Sequence, residues 1–485
     1  MTTPEVSWLA IAPELILALG AVAVLLVDVQ WKPRSRVHAY IVATTLVLAT
    51  ALTAVQWTSA TDAGATGDLG SLLAFSGMIT MDGFAIFSRM ALLAATALGL
   101  SAGWRFIAGQ GRRGAEALAL ILLATAGFSI MVASNNLVMM FLGLEVGSIS
   151  LYVLAGFSRE RKESDEAAIK YFLLGSFASA IFIYGVALLY AGTGQFGILG
   201  MRDFFGVYLV LSPAVIYIGL GLVIAGLGFK VSAAPFHSWA PDVYQGAPAG
   251  IVGYMAAVAK IAGFAAITRI LLAALGGLQA TWLPIIAGIA ALSMLVGAVL
   301  ALVQGDVRRL LAYSGVAHAG FIMTGVVGGV TDGILFYVAV YSVQLVGAFA
   351  VVAAVSGVDG ARSSINDYRG LAKRSPLLAG SFAVLLLGMA GLPLTSGFVA
   401  KFGVFASAWA NDFQWLVIMA VVVSVIAFAF YMKVIVVMYM NDSDEELVPM
   451  GSGTQLALGI SVAVTILFGI LPGPLLEFAA NALPL

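Results

Sequence analysis

Apolar stretches about as long as a bilayer is thick recur from one end of the chain to the other. Of the 485 residues, 61% are hydrophobic and 10% are charged, whereas soluble domains carry roughly 25% charged residues. Backbone exposed to lipid must satisfy its own hydrogen bonds, which helices do within one segment. The pattern therefore predicts an all-α polytopic membrane protein with about fourteen spans, at 8–28, 38–57, 82–104, 115–133, 136–157, 167–191, 212–240, 246–275, 282–304, 310–330, 333–357, 377–409, 414–440 and 454–480.

The composition of the sequence excludes several kinds of site and partner. It contains no cysteine, which excludes disulfides, thiolate metal sites and iron–sulfur ligation by this chain. A net charge of −1 gives no case for a nucleic-acid partner, and we find no nucleotide-binding motif or metal-ligand cluster. No basic segment precedes the first apolar run, Trp8–Val27, so we expect a retained span and no cleaved signal. Transport across a membrane is the predicted function.

Basic residues are distributed unevenly between the two sets of connections. Fifteen follow odd-numbered spans: Lys32, Arg34, Arg36, Arg105, Arg112, Arg113, Arg159, Arg161, Lys162, Arg308, Arg309, Arg362, Arg369, Lys373 and Arg374. Only Arg202 and Arg269 lie on the other side. Cytoplasmic connections are rich in lysine and arginine, so we expect the odd-numbered connections in the cytoplasm and both termini outside it.

The segment Gly228–Pro248, GFKVSAAPFHSWAPDVYQGAP, interrupts the seventh span. Pro235 and Pro241 remove backbone donors, and Lys230 lies on the hydrophobic side of the interruption. A broken helix at bilayer depth is tolerated only inside protein or beside a polar cavity. A lysine at that depth usually marks a transport path. The segment is therefore a candidate working centre.

Spans four to eight and nine to thirteen align as two five-span repeats, inverted relative to each other because five is odd. Their buried polar residues then match within two positions, in the pairs Glu145 and His318, Lys170 and Gln344, Lys230 and Lys401, and Lys260 and Lys433. Inverted repeats with paired broken helices are typical of transporters. The expected units are a three-span segment at 1–110, repeats at 111–276 and 277–441, and a final span at 442–485.

The depth of each ionisable residue decides between function and packing. Glu145, Lys230, Lys260 and Lys401 lie too far from an interface to reach water, which favours function over a purely structural ion pair. His318 is either a hydrogen-bonded packing residue or a group that titrates near physiological pH.

Other ionisable residues lie nearer the interfaces. Lys170 and Lys433 are close enough to span ends to reach the interface, which leaves both interpretations open. Arg89 is expected to be structural or to lie at the lipid interface. His237 and Asp242, at the cytoplasmic side of the first break, are a candidate entry or exit group.

Three segments resemble a known family. FKVSAAPFHSWAPDVYQGAP, RRLLAYSGVAHAGF and GLPLTSGFVAKF are similar to signature segments of the antiporter-like membrane subunits of respiratory complex I, the proton-translocating NADH–quinone oxidoreductase. The resemblance covers about residues 8–480. Within the family it is most similar to subunit N, because of the amino-terminal PELILALGAVAVLLVD, the end of the chain after span fourteen, and Lys401 where subunit M has glutamate.

The resemblance implies a role for each residue. Glu145 is expected to pair with Lys230, Lys260 to connect the two halves and Lys401 to end the second half-channel. Lys170 matches a span-six lysine, and His318 a polar residue of the central axis. NADH, FMN, iron–sulfur clusters and quinone are expected in partner subunits. The expected partners are the other membrane subunits and, through them, the peripheral arm.

These roles predict a switch. A carboxylate about 4 Å from Lys230 stabilises its ammonium by on the order of 4 kcal/mol at an effective dielectric of about 20. Moving Glu145 away would release the proton through Lys260 and water towards Lys401. The alternative function is a subunit of a multi-subunit cation/proton antiporter, which shares the broken helices. A structural scaffold would leave the buried lysines unexplained.

Overall fold

The fold is helical almost throughout, and a computed structural model describes residues 7–31, 35–66, 69–158, 161–207, 213–357, 362–443, 450–482 and 484. Its helices are α1 (Trp8–Trp31), α2 (Ser35–Thr66), α3 (Gly83–Gly109), α4 (Arg113–Ala133), α5 (Leu137–Ala155), α6 (Lys162–Thr193), α7 (Ile198–Val207), α8 (Pro213–Lys230), α9 (Trp239–Gly246), α10 (Ala249–Thr268), α11 (Gln279–Leu302), α12 (Val307–Val327), α13 (Thr331–Ser356), α14 (Leu371–Arg374), α15 (Pro376–Ala390), α16 (Ser396–Ala410), α17 (Gln414–Met440), α18 (Ser452–Ile470) and α19 (Gly473–Ala480). Short strands β1 (Leu73–Ala74) and β2 (Ile79–Thr80) pair antiparallel.

The predicted all-helical membrane fold is confirmed. Within the described ranges, thirteen helices are long and apolar enough to cross a membrane. The crossing predicted at 377–409 consists of two shorter helices, α15 and α16, and the one predicted at 212–240 ends as a long helix at Lys230 before α9 begins. Both predicted breaks are therefore present, one in each five-span repeat.

Some boundaries differ from the prediction. The last predicted span, 454–480, is divided into α18 and α19, because Pro472 and Pro474 cannot continue a helix. Helix α7 falls in a segment that the sequence predicts to be a connection. Lys32, Arg34 and Arg159, which support the predicted orientation, lie outside the described residues.

The two repeats begin with the same kind of close helix pair. In the first repeat, α4 packs on α5 with Gly127 against the backbone of Gly147; a Cβ on Gly127 would lie 2.5 Å from that backbone nitrogen. In the second, α11 packs on α12 with Gly297 against Ala317, where the corresponding distance is 2.4 Å. Only glycine permits either approach, and small residues at helix contacts are typical of membrane bundles.

The centre of the bundle is formed by α10 and α12, which are almost completely buried. Helix α10 packs on α3 and α13, and its last turns continue as a π-helix, Arg269–Ala274. The candidate residues Lys260 and His318 are carried by these two innermost helices, so neither reaches the surface of the chain.

Two buried ion pairs hold the amino-terminal helices, one between α1 and α3 and one between the start of α3 and the end of α10. Arg89 of α3 binds the Glu14 carboxylate at 2.7 Å and the Gln56 side chain at 2.8 Å, while Ser129 of α4 donates to the same Glu14 at 2.6 Å. Arg89 is therefore a buried structural residue and does not lie at a lipid interface. Arg269 makes a bidentate pair with Asp82, with both contacts at 2.8 Å.

We expect Asp82→Asn to destabilise the protein by about 3–5 kcal/mol, because it leaves the Arg269 guanidinium buried without its carboxylate. Asparagine keeps a side-chain oxygen for the α3 cap at Ala85, so the loss reports the charge pair. Thermal unfolding in mild detergent measures it. Asp203→Asn is the control, because the Arg202–Asp203 pair is exposed and such pairs contribute about 0–1 kcal/mol. Equal effects of the two variants would contradict the prediction.

Candidate functional site

The first helix break frees backbone groups deep in the bundle. Helix α8 ends at Lys230 and α9 begins at Trp239. The carbonyl of Val231 accepts a hydrogen bond from Lys260 Nζ at 3.0 Å, and the amide of Ala234 donates to Ser293 Oγ at 2.9 Å. The Trp239 indole donates to the Phe229 carbonyl at 3.0 Å. Side chains from three different helices therefore satisfy the break, as bilayer depth requires.

The second break lies between Ala390, where α15 ends, and Ser396, where α16 begins. Lys401 Nζ donates to the Ala390 carbonyl at 2.8 Å and to Ser424 Oγ of α17 at 3.3 Å. It also lies 4.4 Å from the centre of the Phe321 ring, a favourable place for a cation. In each repeat, a buried lysine thus binds a carbonyl that the break has freed.

Lys230 has a partner that the sequence did not indicate. Its Nζ donates to Ser148 Oγ at 2.8 Å and lies 4.6 Å from the centre of the Phe128 ring. Within the described part of the chain no salt bridge joins Lys230 to Glu145, although the charge of Glu145 acts on Lys230. Ser148 is one turn further along α5 and takes the place of the carboxylate. One oxygen of Glu145 is buried and has no hydrogen-bond partner among the residues that the structure describes.

Lys260 connects the two repeats. Besides the Val231 carbonyl, its Nζ donates to the Gly315 carbonyl of α12 at 2.9 Å. Both acceptors are backbone oxygens, and among the residues described here no carboxylate pairs with Lys260 or Lys401. An amine held in this way can give up a proton without leaving an anion behind.

His318 lies between two phenols. Its Nδ1 is 3.0 Å from the Tyr337 hydroxyl, and its Nε2 is 3.3 Å from the Tyr431 hydroxyl. Its ring stacks on that of Tyr341, with centres 4.2 Å apart. The histidine therefore packs tightly and also has a hydrogen-bonding group at each nitrogen, so the two interpretations of this residue are compatible.

These contacts place four predicted residues in one line. Lys230 ends the helix whose next carbonyl, that of Val231, binds Lys260; Lys260 binds α12 at Gly315, one turn before His318. One turn beyond His318, the Phe321 ring contacts Lys401. Glu145 lies beside the Lys230 end of the line.

Lys170 lies outside that line. Its Nζ binds Glu166 at 2.6 Å and Asp242 at 2.7 Å, and Arg309 binds the other oxygen of Asp242 at 2.7 Å. Burial by itself would raise the pKa of the Asp242 carboxyl, but the hydrogen bonds from Lys170 and Arg309 outweigh it and lower the pKa below its ordinary value. The cluster joins α6, α9 and the first turn of α12 at a partly exposed end of the bundle.

Gln344 and Lys433, which match Lys170 and Lys260 in the second repeat, have different surroundings from their counterparts. Lys433 is exposed and donates to the Gln304 carbonyl at 2.9 Å, just past the end of α11, so it caps that helix. Gln344 is buried and donates to Ser396 Oγ at 3.1 Å, at the start of α16. The repeat predicted the register of these residues but not their surroundings.

The sequence did not single out the hydroxyl-bearing residues of the site, which are Ser148, Ser293, Ser314, Tyr337, Tyr341, Ser424 and Tyr431. Serine and tyrosine are scattered through all the apolar helices, so their presence alone does not distinguish these seven. Spacing gave a partial signal, because Ser148 and Ser314 share helix faces with Glu145 and His318, as Tyr337 does with Tyr341 and Ser424 with Tyr431.

Comparison with known proteins places the chain among transport subunits. A family model described as "NADH:quinone oxidoreductase/Mrp antiporter, TM" matches residues 134–427. The chain is 41% identical over 519 residues to NADH-quinone oxidoreductase subunit N of Parafrankia sp. (strain EAN1pec), covering 99% of this chain and 96% of that protein.

Solved structures agree with this placement. A chain of respiratory complex I from Thermus thermophilus with bound aureothin is 31% identical, with a TM-score of 0.82 over 97% of this chain and 100% of that one. A chain of the Mrp complex from Dietzia sp. DQ12-45-1b is 20% identical, with a TM-score of 0.82 over 98% of this chain and 97% of that one. The second likeness concerns the fold alone.

We expect Gly397→Ala to disrupt the second break. A Cβ at this position would lie 1.9 Å from the Gly388 carbonyl oxygen, so α15 and α16 would have to separate. Overpacking of this kind costs about 1–3 kcal/mol or more, and the contacts of Lys401 would shift with α16. Gly403→Ala on the same helix is the control, since its Cβ meets nothing within 4 Å. Thermal stability in detergent should fall for the first variant only.

Proposed function

Because the chain belongs to the NADH:quinone oxidoreductase/Mrp antiporter membrane family, we propose that it works as the proton-translocating subunit N of an NADH–quinone oxidoreductase. The observation that carries the proposal is the line of Lys230, Lys260, His318 and Lys401 through the centre of the bundle, with Glu145 at one end. Each group in the line holds or releases a proton, and each is bound by neutral partners that tolerate either state.

The proposed mechanism uses Glu145 to control the occupancy of Lys230. A nearby carboxylate stabilises the lysine's ammonium, and its withdrawal releases the proton towards Lys260. In the structure Lys230 donates to Ser148 and forms no salt bridge with Glu145. This arrangement corresponds to the stage of the cycle in which Glu145 has withdrawn and Lys230 can release its proton. From Lys260 the proton continues past His318 to Lys401. Lys170, with Asp242 beside the first break, is proposed as an entry group that supplies Lys230.

The remaining parts of the assembly follow from this role. We propose that NADH, FMN, iron–sulfur clusters and quinone are bound by partner subunits and that this chain holds no redox group. Its partners are the other membrane subunits and, through them, the peripheral arm. We propose that the multi-pass fold lies in the bacterial inner membrane with both termini in the periplasm. The proposed units are residues 1–110, 111–276, 277–441 and 442–485.

The cation/proton antiporter alternative is less favoured. The relatives at 37–46% identity are named as subunit N, whereas the Mrp complex chain is only 20% identical. Gentle solubilisation separates the two functions. Co-migration with flavin and NADH dehydrogenase activity supports the first, and co-migration with small antiporter subunits and sodium-dependent pH changes supports the second.

We expect Lys230→Arg to abolish proton pumping by this subunit even though the positive charge is kept. Arginine stays protonated under all working conditions, so the site would hold a charge but exchange no proton. NADH-driven proton uptake in membrane vesicles measures the loss, alongside Lys230→Ala and Glu145→Gln. Lys433→Ala is the matched control, because this exposed lysine caps α11 outside the line.

The assembled complex must be present at equal amounts in all these membranes, as judged by native electrophoresis and flavin content. Unimpaired proton uptake per NADH oxidised in both Lys230 variants would refute the proposed function.

A further inference from the structure

A small gap separates Lys260 from a buried phenol. If Gly315 carried a Cβ, that atom would lie 3.6 Å from Lys260 Nζ and 3.4 Å from the Tyr341 hydroxyl. The amine and the phenol therefore both border the space where a side chain of Gly315 would be. Both groups are buried, Lys260 at 1% exposure and Tyr341 at 1%.

The Tyr341 hydroxyl is unusual because, among the described residues, it has no hydrogen-bond partner of ordinary geometry. Buried hydroxyls almost always have one, and an exception calls for an explanation. Its ring is held by stacking on His318, with centres 4.2 Å apart, so the position of the hydroxyl does not depend on a bond of its own. The Ser314 hydroxyl is a side-chain neighbour that acts on it.

Ser314 begins a chain of hydrogen bonds that leads to His318. Its hydroxyl shares a short hydrogen bond with the Tyr431 hydroxyl, and the Tyr431 hydroxyl in turn lies 3.3 Å from His318 Nε2. On the other side of the ring, Nδ1 lies 3.0 Å from the Tyr337 hydroxyl. Every member of this chain is buried within the bundle.

The hydrogen bonds of this series can run in either of two directions. A neutral imidazole has one N–H and one bare nitrogen, so one phenol donates to the ring while the other accepts from it. If Tyr431 donates to Nε2, then Nδ1–H donates to Tyr337 and Ser314 donates to Tyr431. If the tautomer is reversed, every one of these bonds reverses direction. No atom has to move far for the exchange.

We propose that Tyr341, Ser314 and Tyr431 form a relay that carries a proton from Lys260 to His318. Tyr337 then passes the proton on towards Lys401. This inference rests on the proposed function. The space at Gly315 controls whether a proton can pass from Lys260 into the relay. The proton can pass when the Tyr341 hydroxyl, directly or through one water, receives a hydrogen bond from the Lys260 ammonium.

The transfer conserves protons at each step. Lys260 gives one proton to the Tyr341 oxygen and becomes a neutral amine, and Tyr341 passes its own proton to Ser314. Ser314 then passes one to Tyr431, and Tyr431 passes one to Nε2. Nδ1 releases its proton to the Tyr337 oxygen, and Tyr337 releases one onward. One proton enters and one leaves, after which rotation of the hydroxyls and a tautomer change restore the first direction.

The released proton emerges on the side of Lys401. Gly325 of α12 packs against both Ile334 of α13 and Val404 of α16; a Cβ on Gly325 would lie 2.9 Å and 2.8 Å from their side chains. Ile334 is three residues before Tyr337, and Val404 is three residues after Lys401. The relay therefore ends where α13 and α16 meet.

Gly315→Ala tests the gap directly. The added methyl group would make only ordinary van der Waals contacts, at 3.4 Å and more, so we expect the protein to fold and assemble. The methyl would occupy the space that the amine and the phenol both border, so a bridging water could not lie there. We expect a loss of proton uptake per NADH oxidised in membranes containing the complete complex. Gly288→Ala is the control, since its Cβ meets nothing within 4 Å.

Tyr341→Phe is the second variant, because it removes only the hydroxyl and keeps the ring stacked on His318. We expect the same loss of proton uptake. Tyr254→Phe, which removes a buried phenol bonded to Thr125 outside the relay, should have no such effect. The double variant of Gly315→Ala and Tyr341→Phe should be no worse than either alone, because both interrupt one step; two independent structural defects would add.

The outcomes separate the relay from the proposed function. Full proton uptake in Tyr341→Phe, or in assembled Gly315→Ala, would overturn the relay. If the Lys230 variants still lose proton uptake in that case, the proposed function stands and only the relay fails. Loss of uptake in the Gly288→Ala and Tyr254→Phe controls as well would also overturn it, since the effect would then be general.

Discussion

The two helix breaks leave backbone carbonyls without partners at a depth where water is scarce, and the rest of the site depends on how they are satisfied. Each break recruits a lysine: Lys260 for the Val231 carbonyl and Lys401 for the Ala390 carbonyl. A buried ammonium and a freed carbonyl are both unfavourable alone, and each stabilises the other. The groups that we propose to move protons therefore also satisfy the breaks, which explains why lysine occurs at this depth.

The same requirement explains why the repeats are not exact copies. In the second repeat the broken helix supplies its own lysine, whereas in the first the lysine comes from the next helix, α10. This difference frees Lys230 to face α5 and allows Lys260 to reach across to Gly315 of α12. Lys260 is thus one of the side chains that join the two halves, together with Ser293 and Arg309. The counterpart of Lys260, Lys433, has no break to bind and lies at the exposed end of α17.

Much of the architecture could be predicted because lipid imposes it. Helix length, the two proline-containing interruptions and the depth of the ionisable residues all follow from the cost of polar groups in hydrocarbon. The partners of those residues could not be predicted in the same way. Whether Lys230 meets Glu145 or Ser148 depends on one turn of α5 and on helix packing. The ion pair of Glu14 with Arg89 joins residues 75 apart along the chain, and no local pattern indicates it.

In the proposed mechanism, repulsion between neighbouring ammonium groups gives proton transfer along the lysines its direction. Two unit charges about 10 Å apart repel by roughly 2 kcal/mol at an effective dielectric of about 20. Within the described part of the line, Glu145 is the one carboxylate, and it stands at the end beside Lys230. A proton held at Lys230 therefore disfavours one at Lys260, and its release favours loading there. In this proposal the control of Lys230 by Glu145 passes from site to site, because each lysine responds to the charge of its neighbour and none needs a carboxylate of its own.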